Sequence, residues 1–223
     1  MSTHPELLAD PSVEGRVRWH AIWADGAAVR DDGSAYAELA GLARSLGEEH
    51  AGKSPAQIEG VAAARRLYRE FGIDPTRTRP SSEALLRRAL HGQELYRINN
   101  IVDLGNLASL SALLPLGLYD RECIERSPVS LRVGFPGESY PGIRKDEVHV
   151  AGRLCVADRI GAFGSPTSDS LRTSIRDDSH QILVIVFAPP DGGQEPLQRA
   201  RNVLIDGLAR FCDASIVREE SSD

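Results

Sequence analysis

The 223-residue sequence has no uninterrupted apolar run of the roughly 18 residues a membrane-spanning helix needs, so no part of it is expected to cross a bilayer. Its start, MSTHPELLADPSVEG, lacks the basic residues and apolar core of a secretory signal. Cysteine is scarce. Cys123, Cys155 and Cys212 lie far apart with no CxxC pair, which fits reduced thiols and a cytoplasmic setting. The histidines, His4, His20, His50, His91, His149 and His180, show no H-x-x-x-H spacing, so no metal is expected, and no cofactor. There is no G-x-S-x-G nucleophile elbow and no internal repeat. Positive charge is not in excess either: the net charge of −6 argues against a surface that grips nucleic acid throughout, though it leaves room for a local basic patch.

What is present includes GEEHAGKS, from Gly47 to Ser54, which satisfies the G-x-x-x-x-G-K-[ST] pattern of a phosphate-binding loop. The chemistry of such a loop needs a buried strand before it and a helix directly after it. The preceding stretch instead places Tyr36, Leu39, Ala40, Ala43 and Leu46 at helical spacing, so a helix is expected to end at Gly47. Glu48 and Glu49 stand where phosphates would lie. Ser54 and Pro55 read as an N-cap and a first helical residue, which leaves Ser54 no need of magnesium. The stretch is therefore expected to be a helix–helix connection, with Lys53 in a turn and holding no nucleotide.

The alternation in RVRWHAIWADG predicts a half-buried strand with Val17, Trp19, Ala21 and Trp23 on one side. Helices are expected near 34–46, 55–71 and 81–91, and a fourth from about Asn100 to before Pro115. Beyond it the runs VSLRVGF, EVHVAG, RLCVAD and QILVIVFAP are β-rich. QILVIVF is apolar throughout, as in a strand covered on both faces. A last helix carries Leu197, Ala200, Leu204, Leu208 and Phe211 on one stripe. This order predicts an α+β domain with a largely antiparallel or mixed sheet flanked by helices. The expected division is a flexible start over 1–12, one domain over 13–215 and a polar tail over 216–223.

Three places could carry chemistry. In NNIVDLGNLASLSALL, Asn99, Asp103 and Asn106 share one helix face, where short amides and a carboxylate suit a small polar ligand or a water. For Asn99, capping the helix is as good a reading as ligand contact. For Asn106 a site role is preferred. The second place is DRIGAFGSPTSDS. Gly161 and Gly164 could open an anion nest or oxyanion hole, Ser165, Thr167 and Ser168 could orient a water, and Asp169 could accept an ammonium. Spacing alone favours an ordinary hairpin loop here. The third is the arginine cluster from Arg65 to Arg97, which could meet phosphates; a solvated face paired with nearby carboxylates explains it equally well.

Together these segments resemble a known family. YRINNIVDLGNLASLSALLPLGLYD is similar to the R-P-V-N-N-x-V-D-x-T-N-Y and Q-P-x-H-A-F-D stretches of the phenylalanyl-tRNA synthetase beta chain, with Arg97, Asn99, Asn100, Val102, Asp103, Asn106, Pro115 and Asp120 in step. Those stretches belong to its B3/B4 domain, which edits tRNA. YREFGIDPTRTRPSSEALLRRAL resembles the lead-in of free-standing B3/4-domain proteins, and Gly161 and Gly164 match the two glycines of the editing loop. The resemblance covers about residues 55–190 and leaves the other synthetase modules unmatched. It implies hydrolysis of a misattached aminoacyl ester by a positioned water, with Asn106, Gly161, Gly164 and Thr167 at the reacting centre. Asn99, Asp103, Ser165 and Asp169 would lie around the amino acid, and Arg77, Arg79 and Arg97 on the tRNA. Two departures stand out. Gly117 replaces the family histidine, and QILVIVF has no counterpart to a later acidic residue. An aminoacyl-tRNA deacylase is the leading expectation. A non-catalytic amino acid or tRNA binding module, and an enzyme acting on a free amino-acid-like molecule, are the alternatives.

Overall fold

In the computed structural model, which describes residues 6–125, 128–143 and 145–222, the chain runs through β1 (Leu7–Ala9), β2 (Arg18–Asp25), α1 (Ser34–Glu49), α2 (Val61–Glu70), α3 (Ser81–Leu90) and α4 (Asn100–Ala112). It continues through β3 (Leu116–Asp120), β4 (Val129–Val133), β5 (Ser139–Gly142), β6 (Lys145–His149), β7 (Leu154–Ala157), β8 (Ala162–Gly164), β9 (Gln181–Ala188), α5 (Gln194–Cys212) and β10 (Ser215–Ser221). One sheet has the order β10-β2-β9-β3 and is antiparallel throughout. A second, β1-β4-β7-β8, is mixed, because β1 joins β4 in parallel. β5 and β6 form a separate hairpin. The α+β expectation, with a mixed and largely antiparallel sheet system, is met.

β9 explains its own composition. Ile182, Val184 and Val186 face a helical layer that includes Leu39, Leu104, Leu204 and Leu208. Leu183, Ile185 and Phe187 face the second sheet through Leu131, Val156 and Phe163. Side chains alternate along a strand, so a strand between two cores must be apolar at every position. β2 departs from its half-buried expectation for the same reason: Trp19, Ala21 and Trp23 join the inter-sheet core, while Ile22 and Ala24 join the helical one.

Both expected loose ends are structured where they are described. Leu7–Ala9 pairs with Val129–Leu131, although 1–12 was expected to be flexible. The expected polar tail over 216–223 is mostly β10, which pairs with β2. Its alternation of exposed and half-buried positions is that of a charged edge strand, which reads as a tail when burial is unknown. Glu220 fastens both ends: its carboxylate accepts from the Trp23 indole N–H at 2.7 Å and from the Leu7 N–H at 3.2 Å.

The GEEHAGKS stretch has a structural reason for each glycine. α1 continues through Gly47, where a Cβ would come within 2.7 Å of the Ala89 carbonyl oxygen of α3. Gly52 turns the chain at φ +77. The helix expected over 55–71 is two pieces, a 3-10 turn at Pro55–Gln57 and then α2. Ser54 closes a capping box with Gln57, whose Oε1 accepts from the Ser54 N–H at 2.8 Å. Among the described residues no helix is long and apolar enough to cross a membrane.

Candidate active site at the β3 edge

β3 is the edge of its sheet. The Leu118 N–H therefore points away from β9 and is accepted by Asp169 Oδ2 at 3.2 Å, from the loop after β8. An edge donor that a neighbouring strand would otherwise take thus anchors a carboxyl group. Asp169 Oδ1 is enclosed and has no hydrogen-bond partner among the described residues. Part of the Asp169 residue reaches the surface, but the carboxyl lies inside, and burial raises its pKa to about 7 against the pull of the Leu118 N–H and of the Tyr119 hydroxyl.

Three tyrosines surround this carboxyl. Tyr68, from α2, donates to the Pro166 carbonyl at 2.6 Å. Tyr140, from β5, reaches the Ser168 carbonyl at 2.5 Å and lies 3.1 Å from Ser165 Oγ. Tyr119, from β3, packs edge-on against Phe163 with ring centroids 5.1 Å apart. The Tyr119 hydroxyl is buried beside Asp169 and pulls on its carboxyl, but, like Asp169 Oδ1, it has no partner in good hydrogen-bond geometry among the described residues. Burial first, and the nearby Asp169 carboxyl second, raise the pKa of Tyr119 and Tyr68, so both remain protonated donors at neutral pH.

The Tyr119 phenol lies across two glycines. A Cβ on Gly117 or on Gly164 would overlap its hydroxyl and the adjoining ring carbons. Gly117, where the resemblance called for histidine, thus has no room for any side chain while Tyr119 holds this position. The bareness of both glycines is what lets the phenol into the cluster.

The expected site residues do not form one cluster. Gly164, Ser165, Thr167 and Asp169 come together. Ser165 Oγ accepts from the N–H groups of Thr167 and Ser168, each at 3.3 Å, and lies 3.0 Å from Thr167 Oγ1. Those two N–H groups are consequently turned inward, toward a hydroxyl of the loop itself. Gly161 sits apart in the β7–β8 turn, at φ +144, with its N–H 3.3 Å from Asp158 Oδ1. Asn106, half-buried on α4, follows Gly105, where a Cβ would press on Leu116 and Leu118 of β3, and its side chain has no hydrogen bond among the described residues.

Asn99 and Asp103 work on the start of α4. Asn99 Oδ1 accepts from the Val102 N–H at 2.9 Å as an N-cap. Asp103, buried, accepts from the Ile98 N–H at 3.1 Å, and burial raises its pKa. The neighbouring Asn100 has the larger structural task. Its side chain binds the Arg30 N–H and the Ala28 and Phe211 carbonyls, each within 2.8 Å. Of the expected tRNA contacts, Arg97 is held by Asp31 at 2.6 Å. Arg77 is exposed and 3.7 Å from Asp74, and Arg79 is 3.6 Å from Glu83.

Sequence reasoning did not single out the tyrosines. The pairing of two bare glycines with one tyrosine, Gly117 two residues before Tyr119, was the available signal. Among the described residues no group of three or more His, Cys, Asp or Glu could hold a metal ion.

No curated protein matches the chain. Among solved structures, an N-terminal fragment of the phenylalanyl-tRNA synthetase beta-subunit from Pyrococcus horikoshii is similar at 12% identity and a TM-score of 0.48. The match covers 99% of this chain and 55% of that one, so this chain spans about half the length of the fragment. The profile of the B3/4 domain matches residues 63–191, which is more than half of the chain and takes in Tyr68, Tyr119, Tyr140 and Asp169 alike, and the chain belongs to the B3/4 domain family.

Proposed function

We propose that the chain hydrolyses the ester between an amino acid and tRNA, at the cluster of Tyr119 and Asp169. The observation that carries this reading is the pair of enclosed polar atoms, Tyr119 Oη and Asp169 Oδ1, which lie beside each other and have no partner in good hydrogen-bond geometry among the described residues, with the carboxyl at a pKa of about 7. A general base works best when its pKa lies near the working pH. Asp169 takes a proton from a water, whose oxygen attacks the ester carbonyl. The ester C–O bond breaks, and Asp169 returns the proton to the departing tRNA hydroxyl. Tyr119 donates to the oxygen that gains charge. Asn106 and Thr167 orient the amino acid, and Ser165 keeps the loop in shape. Entry requires the Tyr119 ring to shift off Gly117 and Gly164, which opens space beside the two glycines while its hydroxyl stays within reach of the ester oxygen. Arg77 and Arg79 are the tRNA contacts in this reading.

A second reading, a binding module for an amino acid, is favoured by the position of Tyr119, which closes the cluster in this conformation. Pure protein incubated with a panel of charged tRNAs separates the two. Release of amino acid from at least one, lowered about 100-fold or more by Asp169→Asn, supports the hydrolase, since a general base contributes about that much. Binding of a free amino acid with no release supports the module. Release that Asp169→Asn leaves unchanged overturns the assignment of the base.

A further inference from the structure

The stretch that mimics a phosphate loop faces a cavity of about 550 Å³, lined by the turn at Gly52–Ala56, by Arg65 of α2, by Arg79, and by one face of α3 down to His91. Four permanent cations, Lys53, Arg65, Arg79 and Arg87, surround one carboxylate, Glu83, a net of three positive charges on a chain whose own net charge is −6. Glu83 is almost fully buried and is taken by Arg65, with contacts of 2.8 Å to Nε and 2.6 Å to Nη2. Arg79 stands 3.6 Å from the same carboxylate. Lys53 and Arg87 have no ion pair among the described residues, and both side chains are exposed.

Surface cations on helices usually find a carboxylate within a turn, as Arg199 and Arg210 do on α5 with Glu195 and Asp206. Here the carboxylate in the lining, Glu83, is buried and already shared, and two cations are left facing the same concavity. A concave wall of one sign focuses field and draws in counter-ions. The volume is in the range of small-molecule sites. Guanidinium forks match phosphate oxygens, and a lysine adds a mobile point charge.

We propose that this cavity is a binding site for a phosphate ester, held by Lys53, Arg79 and Arg87, with the Arg65–Glu83 pair fixing Arg79 in place. The proposal shares Arg79 with the tRNA contacts of the hydrolytic reading but does not rest on hydrolysis, because Asp169 and the three tyrosines lie outside the cavity lining. It revises one sequence expectation. Lys53 is not idle in its turn; the turn, which follows α1 and not a strand, presents it to an anion. The ester has two possible sources, a small phosphorylated metabolite or the backbone of tRNA.

The test titrates the full chain with adenosine 5′-monophosphate, with pyrophosphate and with deacylated tRNA, at two salt concentrations. The comparison is with the Lys53→Gln/Arg87→Gln double variant. A second double variant, Arg199→Gln/Arg210→Gln on α5, removes the same charge elsewhere. The expected result is salt-sensitive binding of at least one probe, weakened about tenfold or more in the Lys53/Arg87 variant, the cost of losing a charge-assisted hydrogen bond. The α5 variant should bind within about twofold of the native chain. Binding of the small probes assigns the site to a metabolite, and binding of tRNA alone assigns it to the RNA backbone. No binding of any probe, or equal weakening in both variants, overturns the proposal. Circular dichroism spectra matching the native chain establish that each variant is folded.

Discussion

Replacing Asp169 by asparagine should change how stability depends on pH, and the structure fixes both sign and size. The carboxyl has a pKa near 3.8 in the unfolded chain and about 7 in the folded one. Between those values the folded state holds a proton that the unfolded state has released. Stability therefore falls as pH rises through this window and levels off above the folded value. A shift of about three pH units at about 1.4 kcal/mol each gives up to about 4 kcal/mol lost between pH 4 and pH 8. Partial exposure of the residue makes this an upper figure. Asparagine keeps an oxygen for the Leu118 N–H, gains a donor for the Tyr119 hydroxyl, and does not titrate. The variant should match the native chain near pH 4 and exceed it by several kcal/mol at pH 8. Urea unfolding of both proteins from pH 4 to 8 measures this. Carboxylates held low by partners, such as Glu138 beside Arg132, contribute equally to both curves and cancel in the difference. Parallel curves would refute the reasoning, because they would mean that the Asp169 carboxyl is solvated. The same titration should appear in activity with the opposite benefit: the base becomes competent as the fold becomes less stable.

Two further outcomes follow from the packing around the site and from the α4 cap. Gly164→Ala should destabilise the fold by about 1–3 kcal/mol, because the added methyl overlaps the Tyr119 phenol, and the double variant with Tyr119→Ala should lose less than the sum of the two single variants; thermal unfolding of all three checks both statements. Asn99→Ala should lower the melting temperature by a few degrees, equivalent to about 1 kcal/mol for a lost N-cap, while leaving amino acid binding unchanged; weakened binding without loss of stability would return Asn99 to the ligand.

The helices were legible because their signals are local. Apolar spacing marked the stripes, and Ser54 and Asn99 marked ends or turns. β9 was legible because burial on two faces leaves no room for polar residues. The short strands were not. LGLYD, which becomes β3, is held by β9 far along the chain, AFG, which becomes β8, is too short to show an alternation, and β10 owes its charges to being an edge. The candidate site was half legible. Ser165, Thr167 and Asp169 belong to one polar loop and could be read there. Tyr68, Tyr119 and Tyr140 reach it from a helix and from two strands of different sheets, and only the fold brings them together.

The fastening by Glu220 bears on how this chain can be cut and rejoined. The Leu7 amide and the Trp23 indole meet on one carboxylate of the last strand, so positions 7 and 220, at opposite ends of the sequence, are neighbours in space. A short glycine–serine bridge from Ser222 to Glu6 would therefore span little distance, and new ends could be opened in the exposed turn at Gly92–Gln93. Such a permuted chain would keep every strand neighbour described above while reversing which elements emerge first during synthesis. β1 and β10 would then be adjoining segments of continuous chain, and the order in which the two sheets assemble would become an experimental variable.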